Sequence, residues 1–198
     1  MRLLVIGAGG HAKVVISAAI EAGWDIAGIV DESGQRTELM GMPVTSDASQ
    51  VEADAFVVAI GDNRVRAERY AHYLAQGLIA AAVLHPRATL DPSARIGAGT
   101  VAFAGAVVNA DAEIGDNVIL NTGCTVDHDC VIGAHSHIAP GVNLSGAGTV
   151  GDGALMGVGS CAIPLARIGA WAVVGAGSTV IDPVGDGVTA AGSPARKL

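Results

Sequence analysis

The residues best suited to chemistry crowd into the stretch from Asn121 to His137, which holds Asp127-His128-Asp129 and then His135 and His137. Histidine changes charge near neutral pH, so His128 can take a proton from an attacking amine or hydroxyl. A neighbouring carboxylate, Asp129 or Asp127, would fix the ring tautomer and raise its basicity. The same residues also suit an exposed corner histidine with solvated acidic neighbours. His128, His135 and His137 together supply three imidazoles, the number an open zinc site uses. Cys124 and Cys130 flank His128 and would allow a covalent intermediate. A second group lies near the start, where Gly7-Ala8-Gly9-Gly10-His11 follows an apolar run and can offer backbone N–H groups to an anion.

The elements that position the first group repeat every six residues from Ala82 to Pro183. The third position of the hexad runs Leu84, Leu90, Ile96, Ala102, Val108, Ile114, Leu120, Val126 and onward to Val180, and all seventeen are apolar. Chance would give this about once in 10⁵ registers, so the hexad is the structural unit. The first position is always Ala, Ser, Thr, Cys, Val or Gly, and the fourth is Gly, Asn or Asp in eleven of seventeen. Each hexad reads as a short strand plus a corner, with positions one and three inward and position two outward. Glycine, Asn and Asp at position four suit the left-handed backbone of a sharp corner. Three faces make a coil, which stacks Val108, Val126, Leu144, Ala162 and Val180 in one interior ladder. The pattern is that of a hexapeptide β-solenoid; a β-sandwich would break phase as its strands changed length.

Composition shifts near residue 80, from helix formers and most of the arginines to Gly-rich hexads with almost no lysine. This predicts a domain over 1–80, a solenoid over 81–183 and a tail over 184–198. The net charge of −8, from 11 basic and 19 acidic residues, gives a nucleic-acid partner no electrostatic support. No apolar run reaches membrane-spanning length, and the N-terminus reads as a first strand rather than a signal peptide. Three cysteines argue against a disulfide framework. The expected compartment is the cytoplasm, with no membrane partner.

In the first domain, Leu3–Ile6 reads as a buried strand, followed by the glycine turn and a helix to about Ala22. The spacing fits the G-x-G-x-x-A form of the dinucleotide fingerprint, a Rossmann-like α/β arrangement. Glycine turns of this kind also serve plain strand-to-helix packing. A second strand ends at Asp31 and Glu32, where a carboxylate can meet a ribose or base edge. A third ends at Gly61-Asp62-Asn63, with Arg64 and Arg66 opening the next helix. Three such ends converge on one edge of a parallel sheet, where ligands bind. The domain has room for one mononucleotide-type half, which favours a single nucleotide diphosphate over NAD.

Taken together, G-A-G-G-H, V-D-E, A-I-G-D-N-R, N-T-G-C-T-V-D-H-D-C-V-I-G-A-H-S-H and the ending G-S-P-A-R-K-L resemble one family across essentially the whole chain. It comprises the bacterial sialic acid O-acetyltransferases and their relatives, the nucleotide-sugar 4-amino-sugar N-acetyltransferases. The resemblance implies a left-handed parallel β-helix, a homotrimer, a nucleotide-sugar in the N-terminal domain and acetyl-CoA between adjacent subunits. It also implies His128 as catalytic base with Asp129 as its acidic neighbour, and His137 near the reactive end of acetyl-CoA. His11 would lie at the sugar-phosphate pocket, approaching His128 of a neighbouring subunit, with Gly9, Gly10, Asp31, Glu32, Gly61 and Asn63 as further substrate contacts. The tail resembles the segment that lies over the CoA nucleotide, where Arg196 and Lys197 would meet phosphate or stay solvated.

Other positions allow two readings. Asn121 can hold the acceptor or a water, or can serve a left-handed corner. Gly146, Gly157, Gly159 and Gly175 can admit the pantetheine arm or form corners. His135 and His85 have weaker claims, and His72 reads as a helix-surface residue. Cys124 and Cys130 occupy position one and read as small core residues, which favours direct transfer; Cys161 faces outward. The expected reaction is acetyl transfer from acetyl-CoA to the amine of a UDP- or GDP-linked 4-amino-sugar, with no metal. Sialic acid O-acetylation, a zinc-dependent carbonic-anhydrase-like protein and a non-catalytic scaffold are the alternatives. The hexad positions of His128, His135 and His137 do not obviously converge on one ion.

Overall fold

The computed structural model describes all 198 residues. The chain begins with β1 (Arg2–Ile6), α1 (Gly10–Glu21), β2 (Asp25–Val30), β3 (Glu38–Leu39), β4 (Met42–Thr45), β5 (Ala55–Val58) and α2 (Asn63–Ala75). The sheet order is β3-β4-β2-β1-β5, parallel except for the β3–β4 hairpin. Leu3 to Ile6 are all buried because helices cover both faces of this central strand. Ala12, Val15, Ile16 and Ala19 of α1 close one face. Tyr70 and Tyr73 of α2 pack over Leu4, Ile6, Phe56 and Val58 on the other. No helix is long and apolar enough to cross a membrane.

Ala80 still pairs with Phe56 of this sheet, and Val83 already opens the solenoid. Val83, Val101 and Ile119 are outward residues of one solenoid face, yet they are buried in the same cluster as the α1 side chains. One apolar cluster therefore joins the α/β unit to the outer face of the solenoid, whose interior is a separate core, and this fixes how the two sit together.

Seventeen two-residue strands follow at unbroken six-residue spacing, from Val83–Leu84 to Thr179–Val180. They stack as three parallel sheets, each strand pairing with the one eighteen residues on, as in Val107↔Thr125 and Thr125↔Asn143. Positions one and three point inward and are buried from Thr100 onward. Thr189–Ala191 adds to one sheet in parallel, and Arg196–Lys197 folds back against it antiparallel.

The corners differ from the expectation in one respect. Left-handed backbone recurs at position six of the hexad, not position four: Gly99, Gly105, Asp111, Asn117, Gly123, Asp129, His135 and so on to Gly177 all have positive φ. Position four has another reason for glycine. A Cβ on Gly157 would lie 2.6 Å from the Val174 carbonyl oxygen, and one on Gly175 would lie 2.8 Å from Ala191. Those glycines let successive coils approach, which is a steric demand and not a chiral one.

Helix α2 lies along one corner ladder, Gly99, Asn117, His135, Gly153 and Trp171. Tyr70 sits over Gly99, where a Cβ would come within 2.5 Å of its ring, and its hydroxyl donates to the Ala98 carbonyl at 3.3 Å. Arg66 meets Asn117 and His135, Asn63 meets Gly153, and the Arg64 guanidinium stacks 4.4 Å from the Trp171 ring centre.

Candidate active site

His128 stands at the corner between the strands Thr125–Val126 and Val131–Ile132, with Asp129 in the left-handed position beside it. Its Nδ1 lies 2.7 Å from Asp129 Oδ2, and its backbone N–H donates to Asp127 Oδ1 at 2.8 Å. Asn109, one coil earlier, donates to the same Asp127 oxygen at 2.8 Å. The Asp129 hydrogen bond, and then the charge of Asp127, raise the His128 pKa above the ordinary histidine range. With its Nδ1 proton on Asp129, the exposed ring keeps the Nε2 lone pair free to accept a proton. Gly146 lies directly against the ring: a Cβ there would fall 2.6 Å from Nε2. Its lack of a side chain makes room for the His128 ring.

His137 faces outward on a different sheet and is covered by the α/β unit. Its ring lies 6.2 Å from that of His11, and Asn121 Nδ2 donates to its Nε2 at 3.0 Å. Asn121 does not have the left-handed backbone that one reading gave it. Burial, and then the nearby Arg66 guanidinium, bring His11 down to about 4. Burial, Arg66 and His11 bring His137 down to about 3, opposed by the Gly61 carbonyl. Both rings are therefore neutral near pH 7. His11 Nε2 is buried without a hydrogen-bond partner in the chain.

The cross-section is a triangle with one sheet per side. His128 occupies the vertex opposite the side that carries His137, so the two do not meet in one chain. His135 sits at the α2 corner, with Nδ1 2.9 Å from Asn117 Nδ2. The three imidazoles do not converge, and no group of three or more His, Cys, Asp or Glu side chains could hold a metal ion.

Between the ends of β1 and β5 the α/β sheet changes direction, the place where such sheets bind ligands. Gly9 caps α1 without a side-chain hydrogen bond, and a Cβ on Gly9 or Gly10 would meet nothing within 4 Å. The space above those N–H groups is open. Asp31 at the end of β2 accepts from Ser33 N at 3.1 Å and Ser33 Oγ at 2.7 Å, which holds the loop. Two expected substrate residues are engaged elsewhere. Glu32 accepts from the Tyr73 hydroxyl at 2.9 Å and pairs with Arg69, because α2 passes within reach. Asn63 donates to the carbonyls of Gly153 at 3.0 Å and Ala154 at 3.1 Å, tying α2 to the solenoid.

A cleft of about 200 Å³ opens beside this junction, lined by Gly61 to Arg64 on one wall and by Gly153, Leu155, Trp171 and Val173 on the other. Leu155 pairs directly with His137, so the cleft wall and His137 belong to neighbouring strands of one face. Gly157 and Gly175 serve coil stacking, and Gly159 a left-handed corner. Arg196 donates to Asp182 at 3.0 Å, while Lys197 is exposed. Cys124 and Cys130 are buried; burial pushes Cys124 up to about 12, far from a thiolate at neutral pH. His85 Nε2 lies 3.2 Å from Glu21 of α1, a structural link between helix and solenoid. His72 lies 2.7 Å from Gln76 Nε2 on α2.

Sequence reasoning passed over Arg66 as a plain helix opener. It is 1% exposed. The signal was its spacing with Tyr70 and Tyr73, which places a charged residue on the buried face of α2.

Residues 2–73 match the PglD N-terminal domain, and residues 111–146 match the six-repeat bacterial transferase hexapeptide. The chain is 40% identical to perosamine N-acetyltransferase from Caulobacter crescentus, solved as a histidine-to-asparagine variant in complex with CoA and GDP-perosamine. That match covers 100% of this chain and 97% of the other, with a TM-score of 0.96. The acetyltransferase domain of PglB from Neisseria gonorrhoeae, in complex with acetyl coenzyme A, is 38% identical over 100% and 98% of the two chains, with a TM-score of 0.91. WeeI from Acinetobacter baumannii is 28% identical over 100% of both, with a TM-score of 0.92. No curated protein matches the chain.

Proposed function

Since the chain belongs to the hexapeptide-repeat acetyltransferases that use acetyl-CoA to N-acetylate nucleotide-linked sugars, we propose that its acceptor is the amine of a UDP- or GDP-linked 4-amino-sugar, that transfer is direct and that His128 is the base. The observation that carries the acceptor class is the full-length likeness to a protein solved with CoA and GDP-perosamine. In this reading the diphosphate takes the open N–H groups at Gly9 and Gly10, with Asp31 at the nucleoside. The acyl chain enters the cleft over Leu155 and Val173, toward His137.

As the amine adds to the thioester carbonyl, His128 Nε2 removes its proton, while Asp129 stabilises the imidazolium that forms. The tetrahedral adduct collapses, the C–S bond breaks, and the proton on His128 passes to the departing thiolate. Burial of Cys124 and Cys130 argues against an acetyl-cysteine intermediate. Since His128 and His137 sit apart in one chain, the reading requires a neighbour to bring a second His128 to the cleft, which a homotrimer with its threefold axis parallel to the solenoid would do.

The test is incubation of the protein with acetyl-CoA and a panel of UDP-, GDP- and CMP-linked amino-sugars, followed by mass spectrometry. Acetylation of an amine on a UDP- or GDP-sugar is expected. Acetylation confined to a sialic acid hydroxyl, or none at all, would overturn the proposal.

A further inference from the structure

Arg66 closes the first turn of α2 and is 1% exposed, with no carboxylate bonded to its guanidinium. All five of its N–H groups go to backbone carbonyls. Nε donates to Asn117 at 3.1 Å, Nη1 to Ile60 and Gly61 at 3.2 Å each, and Nη2 to His135 at 2.6 Å and Ser136 at 3.2 Å. The planar fork thus spans two rungs of the solenoid and the turn that leaves β5, which no lysine could do. We propose that Arg66 is a positioning residue for His11 and His137: it locks the Gly61 turn onto the solenoid and sets a fixed positive charge beside both rings.

A pin alone would not need the charge. Asn63, one helical turn away, joins α2 to the next rung through two carbonyls with a neutral amide. Burying an arginine without an ion pair costs desolvation that Asn63 avoids, and burial lowers Arg66 to about 10, still charged at neutral pH. The charged groups around the cluster are few. Asp62 supports Arg66; His11, His137 and His135 all feel the guanidinium; Asp116 and Asp152 act on His135 in the opposite sense. The Gly61 carbonyl that Arg66 holds is also the one that acts on His137. On the reading of function above, this arrangement divides the roles of the histidines. His11 and His137 cannot take the proton that the amine releases, so it goes to His128.

The experiment follows the imidazole titrations by NMR in the intact protein, without substrate, for Arg66→Gln, Arg66→Lys and Asn63→Ala. Arg66→Gln should move His11 and His137 up part of the way, because burial, the larger cause of their low values, remains. Arg66→Lys, which keeps the charge and loses most of the bonds, should hold them low, and Asn63→Ala should leave them in place. If Arg66→Gln does not fold, Arg66→Met, an apolar side chain of similar length, is read in the same way. In the acetylation assay, Arg66→Gln should lower kcat on the order of 10²-fold, with a smaller change in KM for acetyl-CoA. Unmoved titrations in the folded neutral variant, or an equal rise in Asn63→Ala, would overturn the role of Arg66. Because the titrations need no substrate, a protein that acetylates no sugar would count against the proposed function only.

Discussion

His128 and His137 are close in sequence but lie on opposite sides of the solenoid, His128 at a vertex and His137 on the facing side, beneath His11. Any reaction that uses both must recruit them from different chains. A mixed oligomer therefore tests the arrangement directly. Co-expressed His128→Ala and His137→Ala chains, each inactive alone, should regain about a quarter of the wild-type sites by random assortment. No recovery in a preparation shown by light scattering to contain mixed trimers would place the whole site in one chain.

His128→Ala should reduce kcat by about 10²–10⁴-fold, the usual contribution of a general base, and leave acetyl-CoA affinity near normal. Steady-state kinetics with calorimetric titration of the coenzyme separates the two. Near-normal turnover would return His128 to the status of a corner residue.

Asp129→Asn removes the hydrogen bond that contributes most to the raised His128 pKa. His128 must be neutral to act, so activity falls as pH drops through that pKa. The acidic limb of the pH–rate profile should accordingly move to lower pH in Asp129→Asn, with a smaller move in Asp127→Asn. A shift toward higher pH would contradict the assignment.

The folded chain keeps His11 neutral to about 4 and His137 to about 3, whereas each would protonate near 6.5 when unfolded. Between those values the unfolded state binds more protons. Stability present above 6.5 should thus decline as pH falls, by at most about 1.4 kcal/mol per unit for each histidine. Thermal melts from pH 7 to 4.5 measure the slope, and His137→Gln should flatten it. An equal slope in that variant would exclude His137 as its source.

Gly9 has an extended backbone, φ −78° and ψ −171°, and open space where a Cβ would stand. Gly9→Val should fold normally and obstruct the N-terminal N–H groups of α1. Sugar-nucleotide binding should weaken at least tenfold, the scale of one lost charge-assisted contact of about 1.5–3 kcal/mol, with acetyl-CoA binding retained. Separate titrations of the two ligands check this, and a selective loss of acetyl-CoA would reverse the ligand placement.

The hexad was legible because a solenoid writes its geometry locally. Each residue at position one or three meets its own coil and the adjacent ones, so the small and aliphatic pattern repeats at a fixed period. The first strand, glycine turn and helix were readable for the same reason, as was the burial of Cys124 and Cys130. The corner was misread because glycine at position four and left-handed backbone at position six leave similar traces in composition. Only stacked coils distinguish the steric need at Gly157 from the chiral one at Gly159.

What the sequence determined by itself was the repeat, the order of elements and the candidate histidines. Tertiary structure decided which of them meet. His11 joins His137 because α1 packs on the face formed by Val83, Val101 and Ile119, and His128 is left alone because six residues turn the chain through one vertex. Glu32, Asn63 and Arg66 took partners on α2 or the solenoid that no local pattern records. Such contacts depend on where a helix docks across rungs eighteen residues apart, a distance in sequence over which periodicity fixes the register but not the neighbour.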